Sequence, residues 1–342
     1  MAHRALQSSR KKFHTMSIGG ATYDLFVRTD HSIIQTCGET PSFTLPLGEK
    51  IRVREVIETC GGGASNTSVG LARLGADAYF AGIIGSDQWG QKLLENFHRE
   101  HIDTDCATIV EGEVSSFSII LSASSGERVI LYTPGTNAHL HDATFDRETA
   151  LNMDWIYLNH IQEGSCIIQD DIVAILTHPD APRLTWNPGG CQIDSGIHEP
   201  HNTLLLSHTD LLLLNHEEAL QFTHEKSDES ALHTLLKKGT HTVCITNGKE
   251  GVTATDGSSF YYCPILPQET VDTTGAGDAF GTGVTWALLS GFDLPRALCA
   301  GTINAASVVG AFGAQAGLLT DIEMRERLQS TSLDVAIRPF SQ

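Results

Sequence analysis

The stretch Val271-Asp272-Thr273-Thr274-Gly275-Ala276-Gly277-Asp278-Ala279-Phe280 limits what this chain can become more than any other. An apolar, β-prone run from Tyr261 to Leu266 precedes it. A helical pattern comes after it, with Phe280, Val284, Ala287 and Leu288 on one side. Gly275-Ala276-Gly277 therefore lies where a loop turns into a helix. Small residues there let a ligand approach the backbone, and the N–H groups of the first helical turn point outward. Such a helix start is an anion hole suited to a phosphate. Asp278 falls in the first turn beside that hole, where a carboxylate can take a proton from an attacking hydroxyl. The plainer reading is a helix start whose acidic residue favours the dipole. For a bare G-x-G-D the two readings are balanced.

The rest of the chain bounds the possibilities. Its 342 residues suffice for one large α/β domain or two small ones, and 41% of them are apolar, as in an ordinary globular protein. No run of 18 apolar residues exists, so no membrane partner is expected. A net charge of −19 argues against nucleic acid, which needs a basic face. Eight cysteines stand singly, with no C-x-x-C and no zinc spacing among the cysteines and histidines. They read as reduced core residues of a cytoplasmic protein. Residues 1–13 carry Arg4, Arg10, Lys11 and Lys12 without an apolar centre, and read as a disordered tail rather than a secretory signal.

Taken in order, residues 13–18 read as a short buried strand ending at Gly19-Gly20. Asp24 comes next in an apolar setting, either as a turn former or as a ligand to polar groups. Residues 31–58 are short strand-like pieces broken at Thr40-Pro41 and Leu47-Gly48, a small β excursion. Gly61-Gly62-Gly63-Ala64-Ser65-Asn66 opens a helix through Val69, Leu71, Ala72 and Leu74 that ends at Gly75. Residues 76–85 read as one buried strand, and a helix then runs from Asp87 to near His98. Segments 115–122 and 127–133 flank Ser124-Ser125-Gly126, a hairpin signal. Arg128 in that hairpin faces either a phosphate or solvent, and solvent is the default.

From residue 154 strands and helices alternate: Trp155–Leu158, Arg183–Trp186, Leu211–Leu214 and Thr242–Thr246 are apolar strands with helical crossovers. That pattern predicts an α/β fold with a mostly parallel central sheet and helices on both faces. Binding crevices in such sheets lie beyond the carboxyl ends of the strands. Asn187-Pro188, Asn215-His216-Glu217-Glu218 and Asn247-Gly248-Lys249-Glu250-Gly251 sit there. Asn215-x-x-Glu218 also has the form of a helix-capping box. Helices are expected over 276–290 and 293–309, and the tail from Thr331 reads as an ordinary terminus.

The full ten-residue string around Asp278 resembles the signature of the ribokinase-like (PfkB) carbohydrate kinases. Two further stretches resemble the same family: Gly61 to Asn66 with Ala72-Arg73-Leu74-Gly75, and Gly19-Gly20-Ala21-Thr22-Tyr23-Asp24-Leu25. The resemblance spans roughly residues 14–330. It implies a ribokinase-like fold with a small β-sheet lid from segments about 24–60 and 113–135. Asp278 would be the catalytic base, and Gly275, Ala276 and Gly277 the anion hole. Asp24, Gly62, Gly63, Asn66 and Asn137 would hold the substrate; a carboxylate suits a polyol because it accepts hydrogen bonds from adjacent hydroxyls. Asn187, Thr246, Gly248, Gly251, Asn304 and Gly313 would line the ATP site. Asn215 and Glu218 would organise Mg2+, largely through water. Asp272 and Thr274 would border a monovalent cation such as K+.

The implied reaction is transfer of the γ-phosphoryl group of ATP to a hydroxyl of a small sugar. Some members carry an arginine after the middle strand for an acidic or phosphorylated acceptor; Thr185-Trp186-Asn187-Pro188-Gly189 has none. A nucleoside kinase on the same scaffold is the alternative, with Phe43, Phe117 or Tyr132 available to stack a base. A catalytically idle sugar or nucleotide sensor is a second. An exposed lid face is a natural homodimer surface.

Overall fold

The computed structural model describes residues 12–29, 34–37, 40–123, 128–142, 146–161 and 166–340. Its centre is a nine-stranded sheet. In spatial order the strands are Asp77–Ala81, His14–Ile18, Trp155–Leu158, Arg183–Trp186, Leu211–Asn215, Thr242–Thr246, Val252–Thr255, Ser259–Cys263 and Ala336–Pro339. The first six run parallel and the last three antiparallel. The four apolar strands expected from residue 154 onward are all present.

Side-chain alternation along those strands builds two cores, one on each face. Ile156, Leu158, Leu212 and Leu214 point into one cluster with Trp186 and Phe222. Trp155, Tyr157, Leu211 and Leu213 point into the other with Phe280, Val284 and Ile303. Strands buried on both faces must be apolar throughout, which is why Leu211 to Leu214 is a run of four leucines.

On the second face the helices Ala276–Leu289 and Leu294–Val309 pack closely against each other. A Cβ on Gly283 would come within 2.7 Å of the Ala300 carbonyl, and one on Gly301 within 2.7 Å of Val284. Asp293 caps the second helix by accepting from the Arg296 N–H at 3.1 Å.

A separate four-stranded sheet orders as Arg128–Thr133, Phe117–Ala123, Thr22–Thr29 and Glu55–Gly61. It is a small sheet separate from the main one, as expected, but of residues 31–58 it takes only the strand that begins at Glu55; Ile34–Cys37 and Thr40–Phe43 pair as a two-stranded ladder of their own. The hairpin signal Ser124-Ser125-Gly126 and most of the N-terminal tail lie outside the described residues.

Three expectations need correction. Residues 76–85 are two strands, not one: Ile83–Gly85 leaves the main sheet at Gly82 and pairs with Thr108–Val110. Thr40-Pro41 is no break, since Thr40–Phe43 pairs with Ile34–Cys37. The tail is not an ordinary terminus either: Ala336–Pro339 adds an edge strand beside Ser259–Cys263. Phe340 packs there on Phe260 and His233, and Arg338 pairs with Glu229 at 2.8 Å. No helix among the described residues is long and apolar enough to cross a membrane. The six cysteines whose side chains are described form no disulfide.

Candidate active site

The helix Ala276–Leu289 begins without a side-chain cap. Gly275, its N-cap, has φ +76°, and a Cβ there would lie 2.5 Å from that of Ala314. The fold itself therefore demands glycine at 275. Gly277 differs, because a Cβ there would meet nothing within 4 Å. No neighbouring group forbids a side chain at 277; only a ligand would.

A cavity of about 410 Å³ opens at this helix start. Thr273, Ala276, Gly277 and Phe280 line one end. Thr246, Gly248, Lys249 and Gly251 form a second wall, and Thr302, Ala305, Ala306 and Val309 of the neighbouring helix a third. The walls are largely apolar while one end carries outward-facing amides. Such a space fits a flat apolar group attached to an anion.

On the other side of the helix start, Asn66 Nδ2 donates to Asp278 Oδ2 at 2.8 Å. Burial pushes the Asp278 carboxyl up to about 6, and the Asn66 hydrogen bond works against that rise. At neutral pH the group is then an ionised base of moderate strength, suited to accepting a proton from an alcohol.

Asn66 lies in the first turn of the helix Gly63–Arg73, so the strand–glycine–helix joint at 61–63 sets its position. The same joint holds Asp24. A Cβ on Gly61 would approach Asp24 Oδ2 to 2.2 Å, so the carboxylate lies against bare backbone. Burial again pushes Asp24 up to about 6, with the nearby Asp272 charge adding to the rise and a Ser118 hydrogen bond opposing it. Asn137 is buried; its Nδ2 donates to the Ala21 carbonyl at 3.2 Å, while its Oδ1 has no partner among the described residues. Asp24 and Asn137 thus come together with Gly61 and Gly62 around residues 20–24, while the Asn66 side chain faces Asp278. A buried carboxylate and an unpaired amide oxygen are acceptors that suit hydroxyl groups.

Four other expected residues already have partners within the fold. Asn187 Nδ2 donates to the Leu213 carbonyl at 3.0 Å, bracing a strand end. Asn304 is fully buried; its Nδ2 donates to Ala279 O and its Oδ1 accepts from Leu319 N. It lies across its helix from Ala305, Ala306 and Val309, so its side chain does not line the cavity. Gly313 also stays outside the lining, its N–H donating to Asp272 Oδ2 at 3.2 Å.

Asp272 is the fourth, and it departs furthest from expectation. Arg128, assigned to solvent from the sequence, reaches across from the small sheet and pairs with Asp272 at 2.9 Å and with Thr274 Oγ1 at 3.2 Å. Thr274 itself donates to Asp272 Oδ1. A guanidinium thus stands where a monovalent cation was expected. Sequence reasoning missed it because the strand register of an excursion does not say what its inner face touches. Alternation from Asp24 through Ser118 and Tyr132 puts Arg128 on that same face.

Asn215 and Glu218 form the capping box in full: Asn215 Oδ1 accepts from Glu218 N at 2.9 Å, and Glu218 Oε2 from Asn215 N at 2.8 Å. Burial raises the Glu218 carboxyl, and its Oε1 takes no part in the cap. A partly buried carboxylate with a spare oxygen fits a cation held through water. No group of three or more His, Cys, Asp or Glu that could cage a metal occurs among the described residues.

Comparison with known proteins gives the family. The model of the pfkB family of carbohydrate kinases matches residues 24–321. A ribokinase of Haemophilus influenzae is 29% identical over 316 residues, covering 89% of this chain and 96% of its own. The structure of Arabidopsis thaliana ribokinase complexed with ribose and ATP superposes with a TM-score of 0.77 at 21% identity, covering 93% of this chain and 99% of that one. A nucleoside kinase of Methanocaldococcus jannaschii, an archaeal member of the ribokinase family, reaches 0.74 at 18% identity, covering 94% and 99%. The chain belongs to the pfkB family of carbohydrate kinases, and like them it is a phosphotransferase with an alcohol group as acceptor.

Proposed function

We propose that this protein transfers the γ-phosphoryl group of ATP to a hydroxyl of a small, uncharged sugar. One observation carries the reading: Asp278, bound by Asn66, directly follows the Ala276-Gly277 helix start that lines a largely apolar cavity. That cavity suits a nucleotide, and the buried Asp24 carboxylate and unpaired Asn137 carbonyl beside the 61–63 joint suit a polyol. The absence of an arginine after the Arg183–Trp186 strand argues for a neutral acceptor.

In this reading the sugar hydroxyl lies against Asp278, which accepts its proton as the oxygen attacks. The amides of Gly275, Ala276 and Gly277 and the positive end of their helix stabilise the charge on the phosphoryl oxygens. Thr246, Gly248 and Gly251 flank the nucleotide. Glu218, with Asn215, holds Mg2+ through water; the ion neutralises the phosphate charge. The small sheet serves as a lid that excludes water, which would otherwise accept the phosphoryl group.

The test is ADP release with magnesium-ATP across neutral sugars, sugar acids, sugar phosphates and nucleosides, for wild type and Asp278→Ala. A neutral sugar should win, and Asp278→Ala should lose about 10²–10⁴-fold in kcat. A nucleoside winning would keep the mechanism and replace the acceptor. Turnover indifferent to Asp278→Ala would sink the assignment of the base. Ligand binding without turnover across the whole panel would make the protein a sensor.

A further inference from the structure

Behind Asp278 lies a chain of side-chain amides that the reaction as described does not use. Arg99 donates from Nη2 to Asn96 Oδ1. Asn96 Nδ2 donates to Gln315 Oε1 at 3.0 Å. Gln315 Nε2 donates to Asn66 Oδ1 at 3.1 Å and to Ser65 Oγ at 2.9 Å. Asn66 Nδ2 then donates to Asp278 Oδ2 at 2.8 Å. Asn66 and Asn96 are 4% exposed and Gln315 is 8%, so water does not compete for these bonds.

Every link runs in the same direction, and both ends require it. A guanidinium can only donate, so Asn96 must turn its oxygen to Arg99 and its NH2 to Gln315. An ionised carboxylate can only accept, so Asn66 must turn its NH2 to Asp278 and its oxygen to Gln315. The two constraints meet at Gln315 and agree. Turning any one amide over would set two acceptors or two donors against each other at both of its links.

We infer that Gln315 and Asn96 are positioning residues for Asp278, fixing the Asn66 amide so that it presents its N–H, not its carbonyl, to that carboxylate. The inference rests on the reading of Asp278 as the base. Neither residue reaches the acceptor or the nucleotide. They act through Asn66, and the chain anchors the Gly310–Gln315 loop to the helices Gln88–Arg99 and Gly63–Arg73. Arg73 adds to that anchoring by donating to the Gln315 and Leu318 carbonyls.

The consequence is measurable as a pH profile. Tyr157 of the central sheet is the other titratable group that feels the Asp278 charge, and Asp272 with its partner Arg128 lies six residues before it in the chain. Substitution at 96 or 315 leaves these groups in place; Asn96→Asp adds a carboxylate beside Arg99, so the uncharged Gln315→Met separates the effect of the amide from that of the new charge. Asn96→Asp keeps size and shape but cannot donate. Gln315 must then turn its NH2 toward residue 96, Asn66 must turn its NH2 toward Gln315, and the Asn66 oxygen is left facing Asp278. An acceptor against a carboxylate disfavours the ionised form. The acid limb of kcat/KM should therefore move up by about one pH unit in Asn96→Asp.

Gln315→Met removes the middle link. It should lower kcat about tenfold near pH 6 with the KM values for ATP and acceptor within about twofold of wild type. Gln315→Asn, which retains an amide, should recover part of the loss. The experiment is the pH dependence of kcat and kcat/KM for wild type, Asn96→Asp, Gln315→Met and Asp278→Asn, each checked for cooperative melting. An unmoved acid limb in folded Asn96→Asp overturns the inference, and Gln315→Met decides in its place if Asn96→Asp does not fold. Activity surviving in Asp278→Asn would overturn the reading of the base instead, so the two failures remain distinct.

Discussion

The cavity wall built by Ala276–Leu289 and Leu294–Val309 and the small four-stranded sheet are opposite solutions to holding a ligand. The helix pair is packed so closely that Gly283 and Gly301 have no room for a methyl group, and its residues are buried almost throughout. The small sheet meets the main body through side chains: Phe26 edge-on to Phe312, Arg28 over the same ring, Arg128 on Asp272, and Tyr23 and Phe117 on Trp89. A wall so constrained cannot adapt to a ligand, whereas a sheet attached through side chains alone can part and re-form. Preorganised amides belong on the first and a water-excluding cover on the second.

Gly275 and Gly277 put that contrast within three residues. Gly275→Ala meets both an unfavourable φ and the Ala314 methyl, and should destabilise the fold by roughly 1–3 kcal/mol. Gly277→Ala enters open space in the first turn of a helix, where alanine is favoured over glycine by about 1 kcal/mol. Its melting temperature should hold or rise while kcat/KM falls about 10²-fold, because the methyl group occupies the place of a phosphoryl oxygen. Thermal melts beside steady-state rates decide this. An active Gly277→Ala would mean the anion lies elsewhere.

Arg128 tests the cover. Arg128→Met removes the pair with Asp272 while keeping much of the side chain's length. The KM for the acceptor should rise about tenfold with little change in thermal stability, as the lost charge-assisted contact is partly exposed. The same variant leaves the Asp272 carboxylate without its guanidinium. It should gain a response to K+ in initial-rate assays against tetramethylammonium, which wild type should lack. A wild-type enzyme stimulated severalfold by K+ would show that Arg128 does not replace the cation.

The same contrast decides how much could be read from the sequence. The central strands and the Gly275–Asp278 turn depend on local pattern: continuous apolar runs, small residues before a helix, an acid in its first turn. Their positions were legible almost to the residue. The capping box at Asn215 and Glu218 was legible for the same reason. Arg128, Asn96 and Gln315 act through partners 144, 219 and 249 positions away. No local periodicity encodes those meetings. Asn304 misled in the opposite way: an amide on the correct helix, turned from the cavity by a single helical face, with its bonds used in holding the Leu319 backbone.

The outer face of the small sheet offers the finest test of the comparison. Strand register sets Leu25, Ile119 and Leu131 in one row and Val27, Leu121 and Val129 in the next, on the face opposite Asp24 and Arg128. Val56 pairs with Val27 and extends the second row. Leu131 is 53% exposed and Val56 52%, so among the described residues this part of the apolar face is uncovered. The inner face meets the main body; the outer face meets it only at one end among the described residues, where Tyr23 and Phe117 stack on Trp89 and Lys92 donates to Glu58. We propose that a second copy of the chain covers it, making the sheet both cover and interface. Sedimentation should then show a dimer for wild type and a monomer for Leu131→Lys, with kcat changed less than in any variant above. A wild-type monomer at micromolar concentration would refute the interface and leave the assignment of Asp278 untouched.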